Sequence, residues 1–345
     1  MSDPVSGRDR VSDWRHVLTP LAWIWRAGHA IDFALAMRTR RTLRTPVVSV
    51  GALTMGGAGK SPMVAHLAAR LREMGRNPAI LTRGYRRISR EPMVIVRRGD
   101  GAPVERTGDE AQMFVRAGDA HVGIGADRYA VGRRMEQELA PDIFLLDDGF
   151  QHVQLNRSHD VVLIDAADPL AGGVFPVGRL REPPSALKRA TEIVVTNGPD
   201  ISEAVKLIER MHLRVAVYGS HVIPLQWMDL ESGALGIEAN PGRVAAFCGL
   251  GNPRSFWGTL DRLPVEIAMR REFADHHRYR PAELKLLARE AAAQGARALV
   301  TTEKDAMNLC SGAPQLVAPL KLYWLKIGIE IAYENKLLGR ITEKA

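Results

Sequence analysis

Cysteine is nearly absent from this chain. Only Cys248 and Cys310 occur among its 345 residues, and they form neither a C-x-x-C pair nor a set large enough for a disulfide framework. The sequence therefore excludes a disulfide-stabilised scaffold and a cysteine metal site. It indicates ordinary structural thiols in a reducing compartment.

Long apolar runs are lacking as well. The longest uncharged stretch near the N-terminus runs for ten residues, from His16 to Trp25, whereas a bilayer-spanning helix needs about 18 to 20. No small-residue cleavage site follows this stretch, so we predict neither a transmembrane span nor a secretory signal.

Acidic residues are in deficit. The chain has 47 Lys and Arg against 39 Asp and Glu, a net charge of +8, which favours an anionic partner such as nucleic acid, a membrane surface or a phosphorylated substrate. No aromatic-interleaved RNA platform and no DNA-reading module accompany the basic clusters, so nucleic acid is disfavoured. Residues 1–45 alone hold eight arginines and four aspartates, a net charge of +4.

Residues 14–37 repeat apolar side chains at steps of three and four, which predicts an amphipathic helix. The helix starts near residue 14 or only at Pro20. The apolar positions are Trp14, Leu18, Leu21, Ile24, Ala27, Ile31 and Leu35. Tryptophans followed by arginines suit a helix lying in the interface of an anionic leaflet, and packing on the chain's own domain is the alternative.

The stretch from Pro46 to Pro62, PVVSVGALTMGGAGKSP, joins a β-branched run to a glycine-rich loop that ends in Lys60 and Ser61. A strand, such a loop and a helix N-terminus together bind phosphate, with the lysine reaching terminal phosphates and the hydroxyl ligating Mg²⁺. The match to G-x-x-x-x-G-K-[ST] is imperfect because Thr54 replaces the first glycine. We predict an ATP site formed by Thr54, Met55, Gly56, Gly57, Ala58, Gly59, Lys60 and Ser61.

Polar side chains follow two further predicted strands. Pro78–Thr82 leads into Arg83 and Tyr85, which suit a phosphorylated amphiphile unless they belong to a solvated charge run. The strand before Asp147 and Asp148 ends where a P-loop enzyme places the carboxylate that organises Mg²⁺. Between these two strands in the sequence, Asp109 precedes a helix. It serves either as the N-cap of this helix or as an acceptor for the proton of an attacking hydroxyl.

The order of elements predicts an α/β fold in which a P-loop domain has a doubly wound, mostly parallel sheet. Further parallel strands are expected at residues 161–165 and 193–197, with a rigid basic loop at 176–184 between them. We expect an N-terminal interface region at 1–45, the P-loop domain at 46–212, a two-stranded linker at 213–232 and a smaller α/β domain at 233–345. The two strands of the linker are separated at Gly219-Ser220, and the second domain should contain a helix at 281–293 and a strand at 298–302.

The second domain carries the motif FADHH at residues 273–277. Metal binding by Asp275, His276 and His277 is disfavoured because adjacent histidines seldom point at one ion and no third His or Cys ligand is placed. Acid–base work by one histidine, or a surface pair, fits the pattern better.

Taken together, the motifs resemble those of the tetraacyldisaccharide 4′-kinase family, the membrane-associated lipid A kinases of Gram-negative bacteria. The motifs are VVSVGALTMGGAGKSP, TRGYRR, TGDEAQMF, ADRYA, IFLLDDGFQH, GRLREP, GLGNP, FADHH and TTEKDA. The resemblance implies transfer of the γ-phosphoryl group of ATP to the 4′-hydroxyl of a tetraacyl disaccharide 1-phosphate, with Mg²⁺ as cofactor. It further implies peripheral attachment to the cytoplasmic leaflet of the inner membrane, with no nucleic acid and no obligate protein partner.

The resemblance also implies roles for individual residues. Asp109 would be the catalytic carboxylate working with His276, and Arg128, Arg181 and Glu182 would line the phosphoryl-transfer cleft. Contacts with the lipid substrate would come from Arg83, Tyr85, Glu182 and Gln151. Metal contacts would come from Ser61, Asp148 and Asp147.

Two other functions remain open on the sequence. A membrane-recruited P-loop ATPase that switches a protein partner has a similar loop, but such ATPases carry a lysine where Met55 stands here, and they have little use for Asp275 and His276. A kinase of a soluble sugar or cofactor is the other alternative, in which the N-terminal helix would only pack on its own domain.

Overall fold

The computed structural model describes residues 13–343 except 57, 85, 86, 197, 199 and 200, and side chains from residue 20 onward. Strands and helices alternate through it, so the predicted α/β class is confirmed. The strands are β1 (Val47–Ala52), β2 (Pro78–Thr82), β3 (Met93–Val96), β4 (His121–Gly125), β5 (Ile143–Asp147), β6 (His159–Asp165), β7 (Glu192–Thr196), β8 (Ala216–Asp229), β9 (Gly233–Gly236), β10 (Arg243–Cys248), β11 (Glu266–Glu272), β12 (Ala298–Thr302) and β13 (Lys321–Ile331).

The helices connect these strands. They are α1 (Asp13–Arg38), α2 (Lys60–Glu73), α3 (Val104–Thr107), α4 (Asp109–Ala117), α5 (Arg128–Leu139), α6 (Ser202–Arg210), α7 (Pro253–Leu260), α8 (Pro281–Ala293), α9 (Glu303–Met307), α10 (Ala313–Val317) and α11 (Glu334–Thr342), together with a 3₁₀ helix at Pro184–Arg189.

The first half of the chain forms a sheet in the order β8-β7-β6-β1-β5-β2-β4-β3. All neighbours are parallel except β3 and β4. The chain runs from β1 towards β2 and β4, returns through β5, and then continues to β6 on the other side of β1. This reversal beside β1 makes the sheet doubly wound and opens a crevice at the carboxyl ends of its central strands.

Helix α2 fixes the loop after β1 by packing its apolar stripe on the sheet. Met63, Val64, Leu67 and Leu71 on this helix are buried with Val48 and Val50 of β1 in one core cluster. Since all six side chains are essentially inaccessible to solvent, the strand and the helix hold the intervening loop between two rigid elements.

Strand β8 belongs to two sheets. Its first residues pair with β7 in parallel, and Ser220 to Asp229 pair with β13 antiparallel; β13 then continues into the second sheet in the order β13-β12-β10-β11. The sequence predicted two strands here, separated at Gly219-Ser220, but the structure has one continuous strand. The partner of β8 in the two-stranded connection is β13, which lies far along the chain.

The chain returns to the first half after β13. Leu337, Leu338 and Ile341 of α11 are buried in the same core cluster as α2, and Arg70 Nε donates to Glu334 at 2.8 Å. The C-terminal residues therefore pack with the P-loop half, although the sequence assigned residues 233–345 together. The overall domain division stays a prediction.

Helix α1 is formed as predicted, with Pro20 inside it rather than at its start. One side packs on the first half: the Trp25 indole donates to the carbonyl of Arg181 at 3.1 Å, and the Arg189 guanidinium lies over the Phe33 ring at 4.9 Å. A second side is exposed and apolar. No helix in the described part of the chain is both long and apolar enough to cross a membrane.

Candidate functional site

The glycine-rich loop follows β1 and ends where α2 begins at Lys60. Gly59 immediately before the helix has φ 75°, a left-handed conformation that a glycine adopts without the penalty of a side chain. Gly51 in β1 allows a close approach of backbone, because a Cβ there would lie 2.5 Å from the Phe150 Cβ. The geometry is that of a phosphate-binding loop, with backbone N–H groups gathered at a helix N-terminus.

The basic loop predicted at residues 176–184 pairs with the glycine-rich loop. Met55 N donates to Arg179 O at 2.8 Å, and Arg181 N donates to Leu53 O at 2.7 Å. Thr54 forms an isolated antiparallel bridge with Leu180. The basic loop is thus a backbone partner of the phosphate loop, which delivers the Arg181 side chain to the same crevice.

Lys60, Asp148 and Arg181 form a charged cluster at the mouth of this crevice. Lys60 Nζ lies 3.1 Å from Asp148 Oδ1, and Arg181 Nη1 donates to both oxygens of Asp148 at 2.9 and 2.8 Å. Burial by itself raises the pKa of Asp148, but Lys60 and Arg181 outweigh burial and lower it. Asp148 is therefore held as a carboxylate between two cations.

Asp147 is almost completely buried beside it. The Thr82 hydroxyl donates to its Oδ2 at 3.0 Å, while Oδ1 has no hydrogen-bond partner among the described residues. Burial, together with the nearby carboxylates of Glu110 and Asp148, raises the pKa of Asp147 to about 7. A buried carboxylate with an unsatisfied oxygen costs free energy unless a cation or another donor compensates it.

The donor set at this point fits Mg²⁺. Two adjacent carboxylates and the hydroxyl of Ser61 are hard oxygen ligands, and Mg²⁺ keeps several waters and substrate oxygens besides one or two carboxylates. No group of three or more His, Cys, Asp or Glu side chains suited to a metal ion occurs within the described residues.

Asp109 and His276 meet across the two halves of the molecule. His276 Nδ1 lies 3.8 Å from Asp109 Oδ2, within ion-pair range but longer than a hydrogen bond. Interaction with His276 lowers the pKa of Asp109, although burial opposes it. Asp109 is the first residue of α4, and the N-cap is Gly108, without a side-chain cap bond. Of the two roles that the sequence left open for Asp109, helix capping is not the one that the structure has, and the carboxylate is available to the cleft.

Glu110 connects this pair with the phosphate loop. Its Oε1 lies 3.9 Å from His276 Nε2, and its charge contributes to the raised pKa of Asp147. Glu110 therefore interacts electrostatically both with Asp147 at the end of β5 and with the Asp109–His276 pair. Sequence reasoning did not single out Glu110, although its place next to Asp109 was the available signal.

Arg128, at the start of α5, adds a partly buried cation. Burial lowers the pKa of its guanidinium, and Arg83 lowers it further, whereas Asp147 and Asp148 raise it. Nη1 donates to Ala126 O at 3.3 Å, and Nε has no partner among the described residues. Arg83 is exposed. The predicted residues Tyr85 and Gly57 lie outside the described residues.

Gln151 and Glu182 lie beneath the charged cluster. The Gln151 amide donates to Ala52 O and to Glu182 Oε1, both at 3.1 Å, and it accepts from Arg181 at 3.1 Å. Glu182 is 3% exposed and accepts from Arg189 at 2.9 Å. These contacts orient Arg181 and the loops. Direct contact of Gln151 or Glu182 with substrate stays a prediction.

His277 points away from the cleft. Its ring stacks on Phe273 at a centroid distance of 4.7 Å, and its Nε2 lies 3.3 Å from Glu283 Oε2. The two adjacent histidines therefore face different partners. Lys304, which the sequence placed in a motif without a role, contacts His276 and is a cationic residue that sequence reasoning missed.

Comparison with known proteins then decides the family. A model of the family described as tetraacyldisaccharide-1-P 4′-kinase matches residues 14–345. The chain belongs to this family. A tetraacyldisaccharide 4′-kinase of Koribacter versatilis is 38% identical over 337 residues, covering 94% of this chain and 98% of that protein. One from Anaeromyxobacter dehalogenans is 42% identical over 276 residues, covering 76% of this chain and 72% of the relative.

A solved structure of the same family has the same fold. The LpxK of Aquifex aeolicus, crystallised in complex with ATP, superposes with a TM-score of 0.72 at 26% sequence identity, covering 95% of this chain and 98% of that one. The fold of this chain is thus shared with that structure at low sequence identity.

Proposed function

We propose that this kinase transfers the γ-phosphoryl group of ATP to the 4′-hydroxyl of a tetraacyl disaccharide 1-phosphate, a step of lipid A biosynthesis. One observation carries the proposal: Lys60 and Arg181 clamp Asp148 at 3.1 and 2.8 Å, and Glu110 joins this phosphate-loop cluster to Asp109 and His276. A phosphate site and a proton acceptor therefore share one cleft, which is the arrangement that phosphoryl transfer to an alcohol requires.

The nucleotide would lie on the glycine-rich loop with its phosphates at the N-terminus of α2. Lys60 and Arg181 are the cations closest to Asp148 and would exchange this carboxylate for phosphate oxygens as ATP binds. Ser61, Asp148 and Asp147 would hold Mg²⁺, which supplies charge neutralisation on the β- and γ-phosphates. Arg128 would add positive charge, since its guanidinium interacts electrostatically with Asp147 and Asp148.

Asp109 would accept the proton of the 4′-hydroxyl. Its carboxylate is ionised at neutral pH because interaction with His276 lowers its pKa, so it is in the correct protonation state to act as a base. His276 would orient Asp109 and stabilise the charge distribution as the proton moves. Since the pair joins the two halves, their approach would assemble the base next to the phosphates and exclude water.

The lipid end of the substrate accounts for α1. The side chains of Leu21, Ile24, Ile31 and Leu35 are exposed on one face of this helix, at 51, 68, 62 and 54%. Exposed aliphatic residues beside an arginine-rich segment are typical of helices in a membrane interface. The other face touches Arg181 and Arg189, so the helix would hold the site at the surface of the cytoplasmic leaflet, where Arg83 and Tyr85 would meet the lipid substrate.

The test follows labelled phosphate from Mg-ATP into product with purified full-length protein. Two acceptors are compared, a tetraacyl disaccharide 1-phosphate in detergent and a soluble sugar. Transfer to the lipid alone is the expected result. Transfer to the soluble sugar would assign the substrate to the other kinase class, and ATP hydrolysis without transfer to either acceptor would indicate a partner-switching ATPase.

A further inference from the structure

The motif TTEKDA is not used by the proposed mechanism, yet it places a cation against the candidate catalytic histidine. Lys304 Nζ lies 3.2 Å from His276 Nε2 and donates to Asp275 Oδ1 at 2.7 Å. We propose that Lys304 is a positioning residue that fixes the tautomer of His276, so that the ring presents Nδ1–H to Asp109. The inference builds on the proposed function, because it concerns the same proton acceptor.

The chemistry of the Lys304 ammonium group and the His276 ring decides which of the two donates the hydrogen bond. An ammonium group has three donors and no acceptor, so the ring nitrogen that it contacts must accept. His276 Nε2 is then unprotonated, and the ring proton resides on Nδ1. Nδ1 is the nitrogen that faces Asp109, at 3.8 Å from Oδ2. The tautomer that Lys304 selects is therefore the one that can donate to the base.

Without Lys304, the surroundings of Nε2 would favour the opposite tautomer. Two carboxylates face this nitrogen, Glu110 Oε1 and Asp275 Oδ2, each at 3.9 Å, and both would attract a proton to it. Lys304 competes with this attraction in two ways. It donates to Nε2 directly, and it neutralises Asp275 through the shorter of its two contacts.

The position of Lys304 is fixed by its neighbour in the chain. Asp305 is fully buried and accepts from Gly249 N at 2.9 Å, from the Tyr279 hydroxyl at 2.9 Å and from the Thr302 hydroxyl at 2.6 Å. Gly249 also accepts a backbone hydrogen bond from His276 N at 3.3 Å. The start of α9 and the loop that carries His276 are therefore joined, so Lys304 and His276 move together.

The backbone of His276 makes this support useful. Its φ is 59°, a left-handed conformation that is unfavourable for a residue other than glycine. Such a backbone conformation persists only where surrounding contacts hold the residue in place. Lys304 on one ring edge and Asp109 on the other supply them.

The experiment compares Lys304→Met and Lys304→Arg with wild type in the lipid kinase assay. For Lys304→Met we expect kcat to fall by about 10- to 100-fold, the range for lost support of a functional side chain, with KM for ATP unchanged. Lys304→Arg keeps a donor and should recover part of the loss. Lys285→Met on the exposed surface of α8 is the matched control and should keep wild-type kcat.

A spectroscopic readout separates positioning from a general structural effect. Protein labelled with ¹⁵N-histidine reports the tautomer of each ring by long-range ¹H–¹⁵N correlation, and His276→Gln assigns the signals of His276. We expect the Nδ1–H form in wild type and the Nε2–H or doubly protonated form in Lys304→Met. An Nε2–H ring in wild type, or the same tautomer in both proteins, would overturn the inference.

A comparison with Asp109→Asn distinguishes failure of this inference from failure of the proposed function. If Asp109→Asn abolishes transfer and Lys304→Met leaves kcat and tautomer unchanged, only the role of Lys304 is refuted. If neither change affects transfer, the catalytic assignment of the cleft fails with it.

Discussion

Asp109 is the residue on which the proposed chemistry depends most directly. Its carboxylate is 6% exposed and ionised, so Asp109→Asn removes the proton acceptor and preserves the shape of the side chain. We expect kcat for transfer to the lipid acceptor to fall by at least about 10²-fold, the size expected for loss of acid–base catalysis. Nucleotide affinity, measured by equilibrium titration, should stay within about twofold, and near-normal kcat would leave Asp109 with a structural role only.

His152 at the end of the DDGFQH motif links the site to pH. Burial, with Arg128 and Arg157 nearby, lowers the pKa of His152 to about 4. The folded protein therefore binds fewer protons than the unfolded chain between about pH 6.5 and pH 4, and its stability falls as the pH falls through this range.

Replacement of His152 should remove this contribution. We expect His152→Gln to lose less stability than wild type between pH 7 and pH 5, by about 1 to 2 kcal/mol. Denaturant titrations of both proteins at the two pH values measure the difference. Equal losses in the two proteins would show that His152 is solvated and protonates freely.

At the residue scale, sequence patterns selected candidate residues but did not predict the contacts among them. A strand that ends in Asp147-Asp148 and a loop that ends in Gly-Lys-Ser were sufficient to place carboxylates beside a phosphate loop, because carboxyl ends of parallel strands share one edge. The contact of Lys304 with His276 joins residues 28 positions apart on two loops, and no local pattern specifies which side of the ring a lysine approaches. The partners of Glu182 and Gln151 are missing from the sequence pattern for the same reason.

At the scale of single elements, helix α1 gives the sharpest test. A charge placed on its exposed apolar face should weaken membrane attachment, because an aliphatic side chain that inserts into the interface contributes about 1.5 to 3 kcal/mol. For Ile24→Asp we expect binding of the full-length protein to anionic vesicles to fall by about tenfold or more in a sedimentation assay.

The same helix supplies its own control. Ala30 is exposed on α1 but lies away from the row formed by Leu21, Ile24, Ile31 and Leu35, so Ala30→Asp should change binding far less. Wild-type binding should also weaken with added salt, since the arginines contribute through screened attraction. Equal binding of all three proteins at low salt would leave α1 with a packing role alone.

Helices and strands were predicted correctly where the local sequence pattern of the segment is sufficient to define them. Strands β2 and β12 and helix α8 begin and end at the predicted residues, since each is a buried or amphipathic run with clear breakers at its ends. Strand β8 was wrongly divided at Gly219-Ser220 because these residue types usually mark a turn. Its continuity comes from β13, whose Ile331 pairs with Ser220, and pairing over that separation has no local signature.

At the scale of the whole molecule, the two halves share secondary structure and should unfold together. Leu337 on α11 is fully buried in the core of the P-loop half, and Leu→Ala in such a position costs about 2 to 5 kcal/mol. We expect Leu337→Ala to lower the denaturation midpoint of the entire chain, measured both by circular dichroism and by the total tryptophan fluorescence, to which Trp227 and Trp257 of the second half contribute.

Leu286→Ala is the matched control, because Leu286 is 55% exposed on α8 and its truncation should change stability by less than about 0.5 kcal/mol. Guanidinium titrations followed by circular dichroism and by tryptophan fluorescence give both midpoints. Separate transitions in wild type would mean that β8 and α11 do not couple the halves.

The pairing of β8 with β13 brings the two ends of the second half together. The second half leaves the first through Asp229 and re-enters it through Tyr323, and these two residues are direct partners across the ribbon. The two ends of residues 230–322 therefore already meet, and a short turn from Asp229 to Tyr323 would close the ribbon as a hairpin. The P-loop half would retain its strands, its phosphate loop and its C-terminal helix but would lose His276 and Lys304, so we expect it to bind nucleotide without transferring phosphate.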